Sequence, residues 1–266
     1  MKIGARAHDF GKHSPEKLFE LMKEKGLEAA HFAPYKAALL DGDFLEERNI
    51  TRIREALEAT DMKMSVLGCY VDSGTLDEGA FQKSLEMFIA HLCVAKAVGA
   101  GCVGTETSDC ADENRERQYH QVLRFMKEAA RVAEEADTFI GVEPVFRHTI
   151  NTPQMLKRLL DDVDSPRLKV IFDPVNLLWE GNAAEQETLW EECIRLWGDA
   201  VAAIHLKDGV YDDNSYTPTS WGKGIARVEK VAEWVKTKRP DLPLLREEIK
   251  PESAKSDVEA IKKLFY

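Results

Sequence analysis

The chain reads as an α/β protein of the (β/α)8 TIM-barrel class on three observations. Eight short β-rich runs alternate with longer amphipathic stretches, several runs are apolar almost throughout, and no proline- or serine-rich linker breaks the series. Runs such as VIF and VAAI suit strands buried on both faces, which a parallel barrel with outer helices requires. A length of 266 residues is ordinary for one such barrel, so residues 1–266 are expected to form a single domain.

The expected strands span 2–7, 28–32, 63–70, 102–105, 139–144, 169–173, 201–207 and 244–248. Between them, Ser14-Pro15 and Thr152-Pro153 each pair an N-cap residue with a proline suited to the first helical position. Phe81, Leu85, Phe88, Leu92 and Ala95 recur at spacings of four and three and mark one buried helical stripe. Gly26 and Gly99 fall where helices would stop before the next strand. The longest stretch expected to be irregular runs from 209 to 223, after the seventh strand, and loops of that length are often functional.

Composition narrows the function. A net charge of −11 without a basic run disfavours a nucleic-acid partner. The first ten residues lack the apolar core of a signal peptide, and no apolar run approaches the roughly 18 residues of a membrane span, so a cytoplasmic location with no membrane partner is expected. Five scattered cysteines, never in a CxxC pair, read as reduced packing thiols. A homo-oligomer is compatible with all of this.

Four of the runs end on metal-capable side chains: FIGVE on Glu143, KVIFD on Asp173, VAAIH on His205 and LLRE on Glu247. Their separations of 30, 32 and 42 residues approximate one strand-helix repeat, so in a barrel all four converge on the mouth where the strands end. Taken alone, each is as readily a polar residue at a strand-to-loop junction; the joint pattern is harder to dismiss. Three carboxylates and one imidazole suit one divalent ion, Mn²⁺, Zn²⁺, Co²⁺ or Mg²⁺. They leave one net negative charge against it, and Lys207, two residues past His205 and on the same side by alternation, can offset that charge.

The order GVEP, FDPVN, HLKD and LREE resembles the xylose-isomerase-like TIM barrels, the sugar phosphate isomerase/epimerase superfamily that also contains endonuclease IV. The resemblance covers essentially the whole chain and implies a metal held by Glu143, Asp173, His205 and Glu247. Glu248 also stands at the end of the last run; the resemblance favours Glu247, and alternation then turns Glu248 outward. By the same resemblance Glu143 and Glu247 would be the catalytic acid/base pair. A divalent ion chelating the vicinal oxygens of an α-hydroxy ketone would stabilise an enediolate while they move a proton. The implied activity is isomerisation or epimerisation of a keto sugar, keto-polyol or sugar phosphate. The alternative on the same barrel is a lyase resembling inosose dehydratase.

Two departures from the family matter. Asn176 stands where several epimerases have a histidine three residues after the aspartate, and no Asp-x-His follows His205. The trinuclear centre of endonuclease IV therefore cannot be assembled, which puts phosphodiester cleavage behind the sugar chemistry. A non-catalytic sugar-binding protein is the remaining alternative.

Further substrate-binding candidates are Arg6 and His8 at the first strand's end, Tyr70 at the third, Glu106 at the fourth, Arg147 and His148 after Glu143, and Asn176 and Lys207. His91, within an apolar helical stretch, reads as structural, and His31 more as a core or loop residue than as a site group.

Overall fold

The computed structural model describes residues 1–212 and 215–266. Among the described residues ten strands occur: β1 Lys2–Arg6, β2 Ala29–Phe32, β3 Lys63–Gly68, β4 Cys102–Glu106, β5 Ile140–Glu143, β6 Leu168–Phe172, β7 Val201–Leu206, β8 Gly209–Asp212, β9 Ser215–Pro218 and β10 Pro243–Arg246. All except β8 and β9 are parallel neighbours in a closed barrel, ordered β1-β10-β7-β6-β5-β4-β3-β2. Each expected strand therefore exists, with ends displaced by two residues at most.

The helices are α1 Pro15–Glu24, the single turn α2 Pro34–Ala37, α3 Glu47–Thr60, α4 Glu78–Ala95, α5 Arg115–Glu135, α6 Pro153–Val163, α7 Gln186–Trp197, α8 Glu229–Lys238 and α9 Ala254–Phe265. Ser14 and Thr152 cap α1 and α6 by accepting the Lys17 and Met155 amides, each with proline at the first position. Gly26 and Gly99 take positive φ after α1 and α4, as helix stops do. In α4 the stripe Phe81, Leu85, Phe88, Leu92 and Ala95 is buried as its spacing requires, with His91 beside it. His91 donates from Nδ1 to the Met87 carbonyl and packs on Tyr35 and Phe44, away from the mouth.

Inside the barrel a small cluster of Ala29, Val66, Cys102, Ile171, Ala203 and Leu245 is separate from the larger core between sheet and helices. Glycines fill the remaining inward positions. A Cβ on Gly104 would collide with Val66 and one on Gly141 with Ile171 and Cys102, so these strands can pass only because the side chains are missing. Alternation then sends the residues two places further along, namely His31, Glu106, Glu143, Asp173, His205 and Glu247, toward the next layer up, at the mouth.

One expectation is corrected. The stretch 209–223 is not irregular throughout, because β8 and β9 form an antiparallel hairpin pairing Tyr211 with Tyr216. Residues 213 and 214 of that stretch lie outside the described residues. Asp208, buried just before the hairpin, staples it: its carboxylate accepts the amides of Gly209, Gly224 and Ala226 at 3.0, 2.9 and 3.1 Å.

The close strand approach gives a stability test. In Gly4→Ala the new Cβ would run into the Ala29 backbone carbonyl, which cannot swing aside as a side chain would, so a loss at or above the upper end of the ~1–3 kcal/mol typical of overpacking is expected. Thr152→Ala, which deletes only a cap, should cost about 1 kcal/mol. Urea unfolding of the two variants checks the order.

Candidate metal and substrate site

His205 is fully buried at the end of β7, and two glutamates reach the same ring nitrogen. Glu143 Oε2 lies 3.0 Å and Glu247 Oε1 3.2 Å from its Nδ1. Asp173, also fully buried, accepts the Val175 and Asn176 amides on Oδ1 at 2.8 and 3.2 Å. Its Oδ2 lies 3.2 Å from Lys207 Nζ. Ligand atoms of Glu143, Asp173 and His205 fall within 4.8 Å of one another, as do those of His31, His205 and Glu247. His205 joins the two groups.

His31 is the residue that sequence reasoning undervalued. Its ring stacks on that of His205 at 4.9 Å and 8°, Nδ1 lies 3.4 Å from Glu247 Oε1, and Nε2 meets the Tyr70 hydroxyl at 2.8 Å. Room for it depends on Gly68, where a Cβ would come within 2.7 Å of Nε2. The register shift between β2 and β3 falls on β3, where residue 65 is passed over between Met64 and Val66, so β2 itself alternates regularly from inward Ala29 to His31.

Glu248 is corrected as well. The last barrel strand ends at Arg246, and Glu248 has a φ of 55°, so strand alternation no longer governs it. Rather than turning outward it lines the mouth cavity and accepts the Tyr216 hydroxyl at 3.0 Å. Arg246, the residue that does face away, is buried on Asp257 at 3.1 Å.

Next to these groups, and joined to them through Asn176 and Lys207, opens a cavity of about 390 Å³, lined by Glu106, Phe146, Arg147, His148, Asn176 and Lys207 and by Tyr211 and Tyr216 of the hairpin together with Glu248. Asn176 bridges two charged groups, donating from Nδ2 to Glu143 Oε1 and accepting Lys207 Nζ on Oδ1. Tyr211 donates to the Val175 carbonyl, and Lys207 sits 5.6 Å from the Tyr216 ring centre. Phe146, Tyr211 and Tyr216 were absent from the sequence-based site. Only the two tyrosines, bracketing a turn-rich DDNS stretch, left a trace there.

Three other expected contacts lie to one side of this cavity. Arg6 is 3.6 Å from Glu247 Oε2 and is itself held by Asp9 at 2.8 Å. His8 stands edge-on to His31 with ring centres 6.4 Å apart. Tyr70 is spent on His31 and lines a separate small pocket of about 110 Å³ with Cys69 and Lys36.

The electrostatics follow from burial. Burial and the nearby Glu247 charge push the Glu143 carboxyl up to about 8. Burial raises Asp173 to about 6 in spite of Lys207. Burial would also raise Glu247, but His205, His31, Arg6 and Lys207 outweigh it and hold that carboxylate well below its usual range. Burial, Glu143 and Glu247 together raise Glu106 to about 8. Burial drives His8 and His31 down to about 4, so both rings are neutral near pH 7. Lys207 is held charged by Asp173, Glu247 and Glu143 against its own desolvation.

A family model described as xylose isomerase-like TIM barrel matches residues 19–264. The chain belongs to this family. Its fold is similar to that of a D-tagatose 3-epimerase-like protein (TM-score 0.80, 19% identity, covering 99% of this chain and 97% of that one). It is also similar to 3-keto-D-glucoside 4-epimerase from E. coli (TM-score 0.79, 16% identity, 99% of each chain). A third similar structure is the IolI protein with a bound zinc atom (TM-score 0.75, 17% identity, 99% of this chain and 96% of that one). At these identities the likeness is one of fold. No curated protein matches the chain. Among the described residues of this xylose isomerase-like barrel, no helix is long and apolar enough to cross a membrane.

The side chains at the mouth suit a hard divalent cation. His205 Nε2 is buried with no polar partner among the described residues, while His205 Nδ1, His31 Nδ1 and Asp173 Oδ2 are buried with ion-pair neighbours (Glu143, Glu247 and Lys207) but no well-formed hydrogen bond. Buried polar atoms are rarely left so, and oxygen and imidazole donors in this number are what such a cation takes. Lys207 and Arg6 offset the charge that three carboxylates bring.

Metal binding should be linked to pH through Glu143. Its raised pKa means that the metal-free site keeps this proton at pH 7, and a cation must expel it. Affinity should therefore climb as pH rises from about 6 to 8 and then level off, with about one proton released per ion at pH 7. Calorimetry in buffers of different ionisation enthalpy measures that proton directly; zero release would contradict the assignment.

Proposed function

We propose that the protein is a divalent-metal-dependent isomerase or epimerase acting on a keto sugar, keto-polyol or sugar phosphate. The observation that carries this reading is the convergence of Glu143 and Glu247, from strands on different sides of the barrel, on Nδ1 of His205, with Asn176 linking Glu143 to a polar cavity. Such a pair suits removal of a proton from a carbon beside a carbonyl on one side and its return on the other. The similar folds of proteins named as D-tagatose 3-epimerase-like and 3-keto-D-glucoside 4-epimerase support the same substrate class.

In this reading Glu143, Asp173, His205 and Glu247 hold one divalent ion, which when bound supplies positive charge to the oxygens of the substrate. The similar barrel with bound zinc agrees with that assignment. The chain's own groups do the rest. Glu143 is oriented by Asn176, which ties up Oε1 and leaves Oε2 toward His205. Glu247 is oriented by Arg6 and His31. Lys207 fixes Asp173 and Asn176 and adds a positive charge to the floor of the cavity. Tyr211 and Tyr216 add aromatic surface to the wall of the cavity. Cavity volume is within the range of small-molecule sites, and hydroxyl-bearing substrates can pair with its polar wall.

Keto sugars incubated with the metal-loaded protein in D2O should take up carbon-bound deuterium. Glu143→Gln and Glu247→Gln should each slow that uptake by at least a hundredfold, and parallel metal analysis tells loss of the base from loss of the ion. Product mass separates the lyase alternative, because only elimination of water lowers it. A Glu247→Gln variant that keeps its metal and full activity would remove this glutamate from the chemistry.

A further inference from the structure

Between α2, α4 and the end of β3 lies the pocket of about 110 Å³ that Tyr70 shares with Cys69 and Lys36. Tyr35 and Lys36 reach it from α2, Met87 and His91 from α4. Its wall is mostly apolar, and most of the polar atoms in it are already engaged. The Tyr35 hydroxyl donates to Asp43 at 3.2 Å, and the Tyr70 hydroxyl meets His31 Nε2 at 2.8 Å. Burial pushes the Cys69 thiol up to about 12, so it stays protonated and inert. Lys36 lies over the Tyr70 ring, with Nζ 4.9 Å from its centre.

His91 is the exception. The residue is 1% exposed, and its Nδ1 donates to the Met87 carbonyl at 2.9 Å. With the proton on Nδ1, the other ring nitrogen carries a lone pair, and that Nε2 is buried with no hydrogen-bond partner among the described residues. Burial lowers the pKa of the ring, so it is neutral near pH 7. The Tyr35 and Phe44 rings pack on it at 6.0 and 5.3 Å and fix its orientation.

A buried imidazole acceptor in the wall of an apolar pocket calls for a donor. Water suits it poorly, because an ordered water takes roughly two to four polar partners and both tyrosine hydroxyls are spent elsewhere. A single aromatic ring suits it well. An apolar cavity of about 150 Å³ takes one benzene, and this smaller pocket is bordered by the half-exposed Tyr35 and Met87, which lets a ring project past them. Tyrosine faces and a thioether are favourable neighbours for such a ring. A hydroxyl on it supplies the missing donor.

We propose that this pocket is a second ligand site, separate from the mouth, for a single-ring hydroxyaromatic whose hydroxyl donates to His91 Nε2 while its ring packs among Tyr35, Tyr70 and Met87. The inference does not depend on the sugar chemistry of the mouth. The two sites meet at Tyr70, which walls this pocket and holds His31, so a ligand here lies one side chain behind the metal-capable groups.

The test uses the full chain loaded with Zn²⁺, with phenol and toluene as probes and backbone amide chemical shifts as the readout. Wild type should bind phenol about fivefold or more tightly than toluene, as one added hydrogen bond allows, with the shifts centred on Cys69, Tyr70, Met87 and His91. His91→Phe should lose that preference by weakening phenol and sparing toluene. Met87→Glu, a change at a half-exposed position that leaves His91 in place, should weaken both probes several-fold and keeps the site testable if His91→Phe fails to fold. Toluene bound as tightly as phenol, a preference that survives His91→Phe, shifts centred on Phe146, Arg147 and Tyr211, or no binding of either probe overturns the proposal.

Discussion

Packing three carboxylates around one buried imidazole is the constraint that the rest of the molecule answers. Unpaired charges at such depth are expensive, and each acid here has a specific remedy. Asp173 has Lys207 and two backbone amides, Glu247 has Arg6 and the two histidines, and Glu143 has Asn176 and its own proton. These partners come from β1, β2, β7 and the turn after β6, so the barrel must close in one register for the set to be complete. The glycine-lined interior below serves the same end. By letting strands approach closely it leaves the upper layer for long polar side chains.

Most of this was legible from sequence because the barrel translates spacing into place. A polar residue ending an apolar run, repeated at the strand-helix interval, has nowhere to go but the mouth, and Glu143, Asp173, His205 and Glu247 met there. Lys207 followed from alternation alone, since the irregularity in β7 lies at residue 202 and the strand is regular from Ala203 to Leu206. What failed to be legible lies outside what strand spacing encodes. The place of His31 depends on Gly68 in the next strand, a fact about space rather than pattern. Glu248 falls beyond the strand in a left-handed conformation, so an argument from alternation sent it the wrong way.

The hairpin shows a third kind of limit. Two four-residue strands give too short a pattern to separate from a loop, and β8 and β9 also rely on contacts elsewhere. Tyr211 reaches the turn after β6 and Tyr216 reaches Glu248 after β10, so the hairpin links distant parts of the chain. Its function in shaping the cavity is thus a tertiary property with little local signature.

Asp208 gathers amides from both ends of the 209–226 stretch, and Gln186 secures the exit by donating to the Ile225 carbonyl and accepting the Arg227 amide. The insertion is closed at its base without drawing on any barrel hydrogen bond. Such an arrangement behaves as an interchangeable cartridge: its tip can lengthen, shorten or be replaced while the socket stays put. A lineage could re-tailor what the mouth admits by trading this one segment, with the metal-capable floor carried forward untouched.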